Sequence, residues 1–135
     1  ASAELPPFAA AFDRVVVDYP CTGTGTLRKH PELKWRWSPS ELDRLSRQAT
    51  RLLAGAATAV APHGVLVAIS CSLEPEENEL VGERFLASSA GFRRAALTGR
   101  VPEAAGRAKS GEGIWRFLPA ADHDGFTVQV FERRS

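Results

Sequence analysis

Phe12-Asp13-Arg14-Val15-Val16-Val17-Asp18-Tyr19-Pro20-Cys21-Thr22-Gly23-Thr24-Gly25-Thr26 is the stretch on which the reading of the fold turns. Three consecutive valines closed by an acid, then Pro20, have the pattern of a buried parallel strand with a polar C-terminal tip. Proline holds its own φ and the two glycines permit tight backbone, so Cys21 to Thr26 reads as a loop that a ligand can approach closely. The pattern recurs at Val65-Leu66-Val67-Ala68-Ile69-Ser70, a second apolar run with Cys71 at its tip. Between the two runs, Ser38-Pro39-Ser40-Glu41 carries a helix start, with an N-cap serine and a proline in the first turn. Apolar residues at Leu42, Leu45, Ala49, Leu52, Leu53, Ala56, Ala57 and Val60 keep helical spacing, which predicts a long amphipathic helix to about residue 61, stopped by Pro62-His63-Gly64.

Further out, Glu74-Pro75-Glu76-Glu77 predicts a second helix, with its acids at the positive end; it carries Leu80, Val81, Phe85 and Leu86 and ends near Gly91. Residues 1–11 read as a loop or frayed helix end, 27–37 as an irregular basic and aromatic stretch, and 98–112 as a flexible loop. Gly113 to Leu118 predicts a short strand, Asp122 to Gly125 a turn, and Phe126 to Phe131 a last, antiparallel strand. The order strand, helix, strand, helix, strand, strand predicts an α/β fold with helices on the faces of a mostly parallel sheet. Ligands of such open sheets bind at the C-terminal strand ends, and both cysteines sit there. The second thiol also lies beside the predicted helix start, whose partial positive charge would favour a thiolate.

Composition narrows the partners. The chain has 135 residues, enough for one domain. Its 17 basic and 16 acidic residues leave a net charge of +1, so nucleic-acid binding would need a local patch. No apolar run approaches the ~18 residues of a membrane span. Ala1 to Pro7 lacks the features of a secretory signal. Two distant cysteines without a C-x-x-C pair, and three scattered histidines, fit a reducing, cytoplasmic compartment and argue against a disulfide framework or a metal site. The absence of Met hints at an excised piece. Taken singly, each feature has a plain structural explanation: a cysteine as a small hydrophobe, an aspartate as a cap, Gly-x-Gly as a turn, residues 28–36 as a solvated loop. Two strand-tip thiols together favour a site.

With these residues on the page, a resemblance follows. Asp18 to Thr26 is similar to the D-A-P-C-S-G-T-G pattern of the Sun-type RNA cytosine-5 methyltransferases, and Leu27-Arg28-Lys29-His30-Pro31-Glu32-Leu33-Lys34-Trp35 resembles that family's continuation. Ser70-Cys71-Ser72-Leu73-Glu74-Pro75-Glu76-Glu77-Asn78-Glu79 matches its T-C-S-x-x-P-E-E-N-E pattern, and His123-Asp124-Gly125-Phe126 resembles its H-x-D-G-F-F signal. Tyr19 replaces a small residue, which would crowd the site; Ser70 replaces threonine, and Thr127 the second phenylalanine. The Gly-rich strand–loop and acidic strand that this family uses for the methyl donor do not precede these motifs.

The resemblance implies a Rossmann-like methyltransferase sheet with its N-terminal strands missing. Residues 1–135 would then be the C-terminal portion of an S-adenosylmethionine-dependent catalytic domain, inactive alone, with an open sheet edge able to self-associate. It implies that Cys71 attacks carbon 6 of cytosine, that Cys21 resolves the adduct, and that Asp18 bonds the cytosine edge. Asp18 and Pro20 would border the cofactor. Pro20 and the loop Thr22, Gly23, Thr24 through Thr26 would shape the base pocket, and Arg28, Lys29, His30 and Lys34 would meet phosphates, with Trp35 and Trp37 stacking on bases of rRNA or tRNA. The target cytosine would be single-stranded or flipped out. Two rivals stay open: a DNA cytosine-5 methyltransferase, in which Cys21 is the nucleophile, and a non-catalytic binding or structural remnant.

Overall fold

In the computed structural model, which describes residues 4–96, 105 and 107–135, the valine run forms β1 (Phe12–Asp18). A one-turn 3-10 helix (Thr24–Thr26) and a four-residue helix α1 (Leu33–Arg36) break up the irregular basic stretch. The long helix α2 (Pro39–Ala57) starts where the serine and proline predict, with the Glu41 N–H donating to Ser38 Oγ at 3.2 Å.

The helix ends sooner than its spacing suggests. Residues 60–70 form one strand, β2 (Val60–Ser70), so Val60 belongs to the sheet and not to the helix. Pro62-His63-Gly64 does not stop a helix but bulges out of that strand. Phe12 pairs with Val60, yet Arg14 pairs with Val65, and His63 takes the left-handed φ of 62°. Pro62 has no N–H to give the ladder, so the surplus residues loop out there.

After β2 come a 3-10 turn (Pro75–Glu77), α3 (Glu79–Ser88), β3 (Phe92–Arg94), β4 (Lys109–Gly111), β5 (Ile114–Phe117) and β6 (Phe126–Arg133). The second helix therefore begins later than Glu74 and ends before Gly91. Of the loop expected over 98–112, residues 98–104 and 106 lie outside the described residues, and its end supplies β4. β3 is a strand that the sequence reading did not contain.

The sheet order is β1-β2-β6-β5-β4, with β3 also pairing β6. β1 and β2 run parallel, joined by the α2 crossover, and Asp18 pairs with Ile69. Among the described residues the pairs that β6 makes with β2, β3 and β5, and the β4–β5 pair, are antiparallel. Parallel character is thus concentrated where the two thiol-bearing tips meet. The β4–β5 and β5–β6 links are too short for the crossover that parallel neighbours need.

One face of the sheet (Val17, Leu66, Ala68, Phe131) packs against Ala49, Leu53 and Ala56 of α2 and Val81 and Phe85 of α3. A smaller cluster around Ala95, Trp115 and Val130, with Val65 and Val67 packed against it, lies on the other face. Two rigid strands held by this core set the position of the site.

Candidate active site

Parallel pairing of β1 with β2 carries both chains to the same end of the sheet, and the Tyr19 N–H extends the ladder to the Ile69 carbonyl at 3.2 Å. Just beyond, Cys21 Sγ and Cys71 Sγ lie 3.2 Å apart, although 50 residues separate them in the chain. Both thiols are free; Cys71 is exposed and Cys21 half-buried.

Their charges diverge. The Cys21 S–H held against the Cys71 sulfur stabilises a Cys71 thiolate and brings that thiol down to about 7, with a backbone N–H helping and partial burial opposing. The same shared proton, reinforced by burial, pushes Cys21 well above the ordinary thiol range. An exposed sulfur is the better place for a negative charge, so Cys71 is the thiol that ionises first while Cys21 keeps its proton. The helix-end explanation for Cys71 gives way here: α3 begins only at Glu79, and the largest lowering influence is the neighbouring thiol.

The loops around the pair are interlocked. Gly23 adopts φ 73°, a left-handed conformation that glycine reaches without strain. Gly25 donates its N–H to the Cys71 carbonyl at 2.9 Å, and Gly125 donates its N–H to the Gly25 carbonyl at 2.8 Å. A Cβ on Gly25 would meet the Cys71 carbonyl oxygen at 2.8 Å and overlap the Gly125 carbonyl, so only glycine fits. Thr24 Oγ1 accepts the Leu73 N–H at 3.0 Å, and Thr127 Oγ1 donates to the Ser72 carbonyl at 3.0 Å. The three motif segments therefore form one contiguous structure.

Glu77, read above as a helix-start acid, and Asn78, quoted above only as a letter of a motif, are both fully buried. The Glu77 carboxylate accepts the Thr22 N–H at 2.8 Å and the Thr22 hydroxyl at 2.6 Å, and the Tyr19 hydroxyl donates to the Glu77 carbonyl at 2.8 Å. Asn78 Nδ2 donates to the carbonyls of Ser72 (3.1 Å) and Glu74 (2.8 Å), while its Oδ1 accepts from Ser70 Oγ at 2.7 Å. Tyr19 does not crowd the site as expected; its ring is buried in the core and its hydroxyl joins this network. The sequence signal was faint, because Glu-Glu-Asn-Glu before a helix reads as a solvated first turn.

The remaining expected residues divide into two groups. Asp18 and Pro20 are exposed at the β1 tip, and no hydrogen bond or ion pair engages the Asp18 side chain among the described residues. Arg28, Lys29 and His30 are exposed, but each already has a partner in the chain. Arg28 donates to the Ala121 carbonyl at 2.9 Å, Lys29 pairs with Asp124 at 2.8 Å, and His30 Nδ1 lies 3.2 Å from Glu32. Lys29 holds the Asp124 carboxyl below its usual range.

Trp35 is 82% exposed with the Lys34 ammonium 5.3 Å from its ring centre. Trp37 instead lines a cleft of about 350 Å³ beside Cys21, together with Thr22, Leu33, Arg36, Glu41 and Leu45. Among the described residues, no group of three His, Cys, Asp or Glu is placed to hold a metal.

Comparisons with known proteins agree with this arrangement. The family model described as "16S rRNA methyltransferase RsmB/F" matches residues 3–132. Ribosomal RNA small subunit methyltransferase B of Thermus thermophilus is 48% identical over 80 residues, which is 59% of this chain and 20% of that protein. The probable methyltransferase B of Synechocystis is 35% identical over 117 residues, 86% of this chain and 26% of its own length. This chain thus spans about a fifth to a quarter of those curated relatives.

Among solved structures, PH0851 superposes with a TM-score of 0.79 at 32% identity, covering 93% of this chain and 27% of that one. NSun6 from Pyrococcus horikoshii, solved with SFG, reaches 0.74 over 100% of this chain and 34% of its own. At 23% identity it speaks for the fold alone. The sheet is that of the Rossmann-like methyltransferases, and the chain belongs to the 16S rRNA methyltransferase RsmB/F family.

Proposed function

We propose that this chain forms the thiol side of the active site of an rRNA cytosine-5 methyltransferase, with Cys71 as nucleophile. The observation that carries the reading is the thiol pair at 3.2 Å, in which exposed Cys71 is the more readily ionised partner. Carbon 5 of cytosine is too weak a nucleophile to be methylated unaided. Attack of the Cys71 thiolate on carbon 6 makes it enamine-like. S-Adenosylmethionine, when bound, supplies an electrophilic methyl group. The unengaged Asp18 carboxylate and Pro20 at the β1 tip fit its edge and that of the base, where Asp18 would hydrogen-bond around N3 and the 4-amino group.

Once Cys71 is bonded to carbon 6, it no longer carries the charge that held the Cys21 proton. Cys21 then loses that proton to solvent and takes the carbon 5 proton as a base. The electron pair left behind re-forms the ring double bond and expels Cys71 as thiolate, which restores the resting pair. Thr22, Gly23 and Thr24 would shape the base pocket, with Trp37 in the adjoining cleft. Arg28, Lys29 and His30 would meet RNA phosphates by exchanging their present partners. In this reading the protein works in the cytoplasm on an unstacked cytosine, and the chain by itself is inactive and self-associates through the open edge of β1. No helix among the described residues is long and apolar enough to cross a membrane.

The test is covalent trapping in the protein that carries this chain, with the methyl donor present. On 5-fluorocytosine RNA, the adduct is expected to disappear in Cys71→Ser and persist in Cys21→Ser. On unmodified RNA, Cys21→Ser should accumulate the unresolved complex. The reverse pattern, with the adduct lost only in Cys21→Ser, would establish the DNA-methyltransferase arrangement. No adduct with either substrate would favour a non-catalytic role.

A further inference from the structure

Glu77 and Asn78 are consecutive, and each brackets one thiol. Glu77 contacts residues on both sides of Cys21: its carbonyl accepts from the Tyr19 hydroxyl, and its carboxylate accepts from the Thr22 N–H and hydroxyl. Asn78 does the same for Cys71, accepting from Ser70 and donating to the Ser72 carbonyl. Glu77 is 1% exposed, and no Lys or Arg pairs with it among the described residues. A carboxylate is an expensive group to bury without a cation. Here both of its oxygens are committed to one threonine, the residue directly after Cys21. A carboxamide would offer a single acceptor oxygen to the same two donors.

We propose that Glu77 and Asn78 are positioning residues that set the separation of the two thiols, Glu77 by holding the Cys21 loop and Asn78 by holding the β2 tip that bears Cys71. The peptide bond joining them fixes one bracket against the other. The thiol–thiol contact is thus governed by a rigid unit that touches neither sulfur. The catalytic consequences rest on the function proposed above; the effect on the thiols does not.

The experiment is the pH dependence of Cys71 alkylation by iodoacetamide, read by mass spectrometry of the Cys71 peptide, in this chain and in Glu77→Gln, Thr22→Val and Thr22→Ser. Loosening the Cys21 loop withdraws the S–H from Cys71. The midpoint should therefore rise from about 7 in Glu77→Gln and Thr22→Val, toward the ~8.5 of an ordinary thiol, with alkylation at pH 7 slowed about tenfold. Thr22→Ser keeps both donors and should leave the midpoint in place.

The sign decides the matter. The Glu77 charge opposes the Cys71 thiolate, so a residue acting by charge alone would lower the midpoint when neutralised. A lowered or unchanged midpoint in folded Glu77→Gln would overturn the proposal. If that variant fails to fold, Thr22→Val against Thr22→Ser carries the same test, and equal midpoints for the two would overturn it. A second readout separates this inference from the enzymatic one. Glu77→Gln in the protein that carries this chain should accumulate the covalent RNA complex, as is expected of Cys21→Ser. A shifted midpoint without that accumulation would count against the catalytic reading and leave the positioning role standing.

Discussion

The Cys21 sulfur 3.2 Å away is what draws the Cys71 thiol below its ordinary range, and removing that neighbour is the direct check. In Cys21→Ala the S–H that stabilises the thiolate is gone, so the Cys71 midpoint should rise from about 7 toward ~8.5. Thiolate forms as pH rises through the midpoint. Alkylation of the wild-type chain should therefore be half-maximal near 7 and fall about tenfold per pH unit below it. An unshifted midpoint in Cys21→Ala would show that something other than the paired thiol tunes Cys71. At this scale the placement of Cys21, Cys71 and Asp18 at the strand ends was legible, because each closes or follows an apolar run. The sequence did not carry Glu77 and Asn78, whose burial comes from tertiary packing against Thr22 and Gln129. Nor did it carry the partners of Arg28 and Lys29, since charges are legible in one dimension while the Ala121 carbonyl and Asp124 approach only in three.

Helix α2 shows what periodicity does and does not specify. Its start was legible because Ser38 and Pro39 solve a local problem, the unpaired N–H groups of a first turn. Ser38→Ala removes the oxygen that accepts the Glu41 N–H. It should cost about 1 kcal/mol in urea unfolding without changing the thiol midpoint. An unchanged stability would mean that water replaces the cap fully. The end of α2 was misread because Val60 continues the helical stripe and also suits a strand. Pairing with Phe12 decides in favour of the strand, a contact no local pattern encodes. The helix also supports the site: Ser46 Oγ donates to the Glu76 carbonyl at 2.6 Å, tying α2 to the turn that delivers Glu77. β3 went unread because three residues give no periodicity to detect.

Across the whole molecule, the α/β class was legible from the strand–helix–strand order, whereas the placement of β6 beside β2 was not. Strand neighbours depend on connections and shared faces, and single-strand patterns are blind to both. β1 lies at one end of the strand order among the described residues. Val16 is 63% exposed, the exposed Phe8 and Phe12 pack edge to face at the start of β1, and β1 has β2 as its strand neighbour among the described residues. Self-association through this patch should appear in sedimentation velocity as the concentration is raised. Val16→Lys should shift the distribution toward monomer at unchanged melting temperature, and a wild-type chain that stays monomeric throughout would dismiss the idea. The stack of Gly125 on Gly25 on the Cys71 carbonyl also has a consequence in time. It joins three segments far apart in the chain, and contacts of such long range form after local ones have been made. On the ribosome, residue 125 emerges well after Cys21 and Cys71, so both thiols are made before the stack can close. The three segments are therefore locked together only after residue 125 has emerged, and until then the loop that carries Gly25 has the Cys71 carbonyl but not Gly125 to hold it.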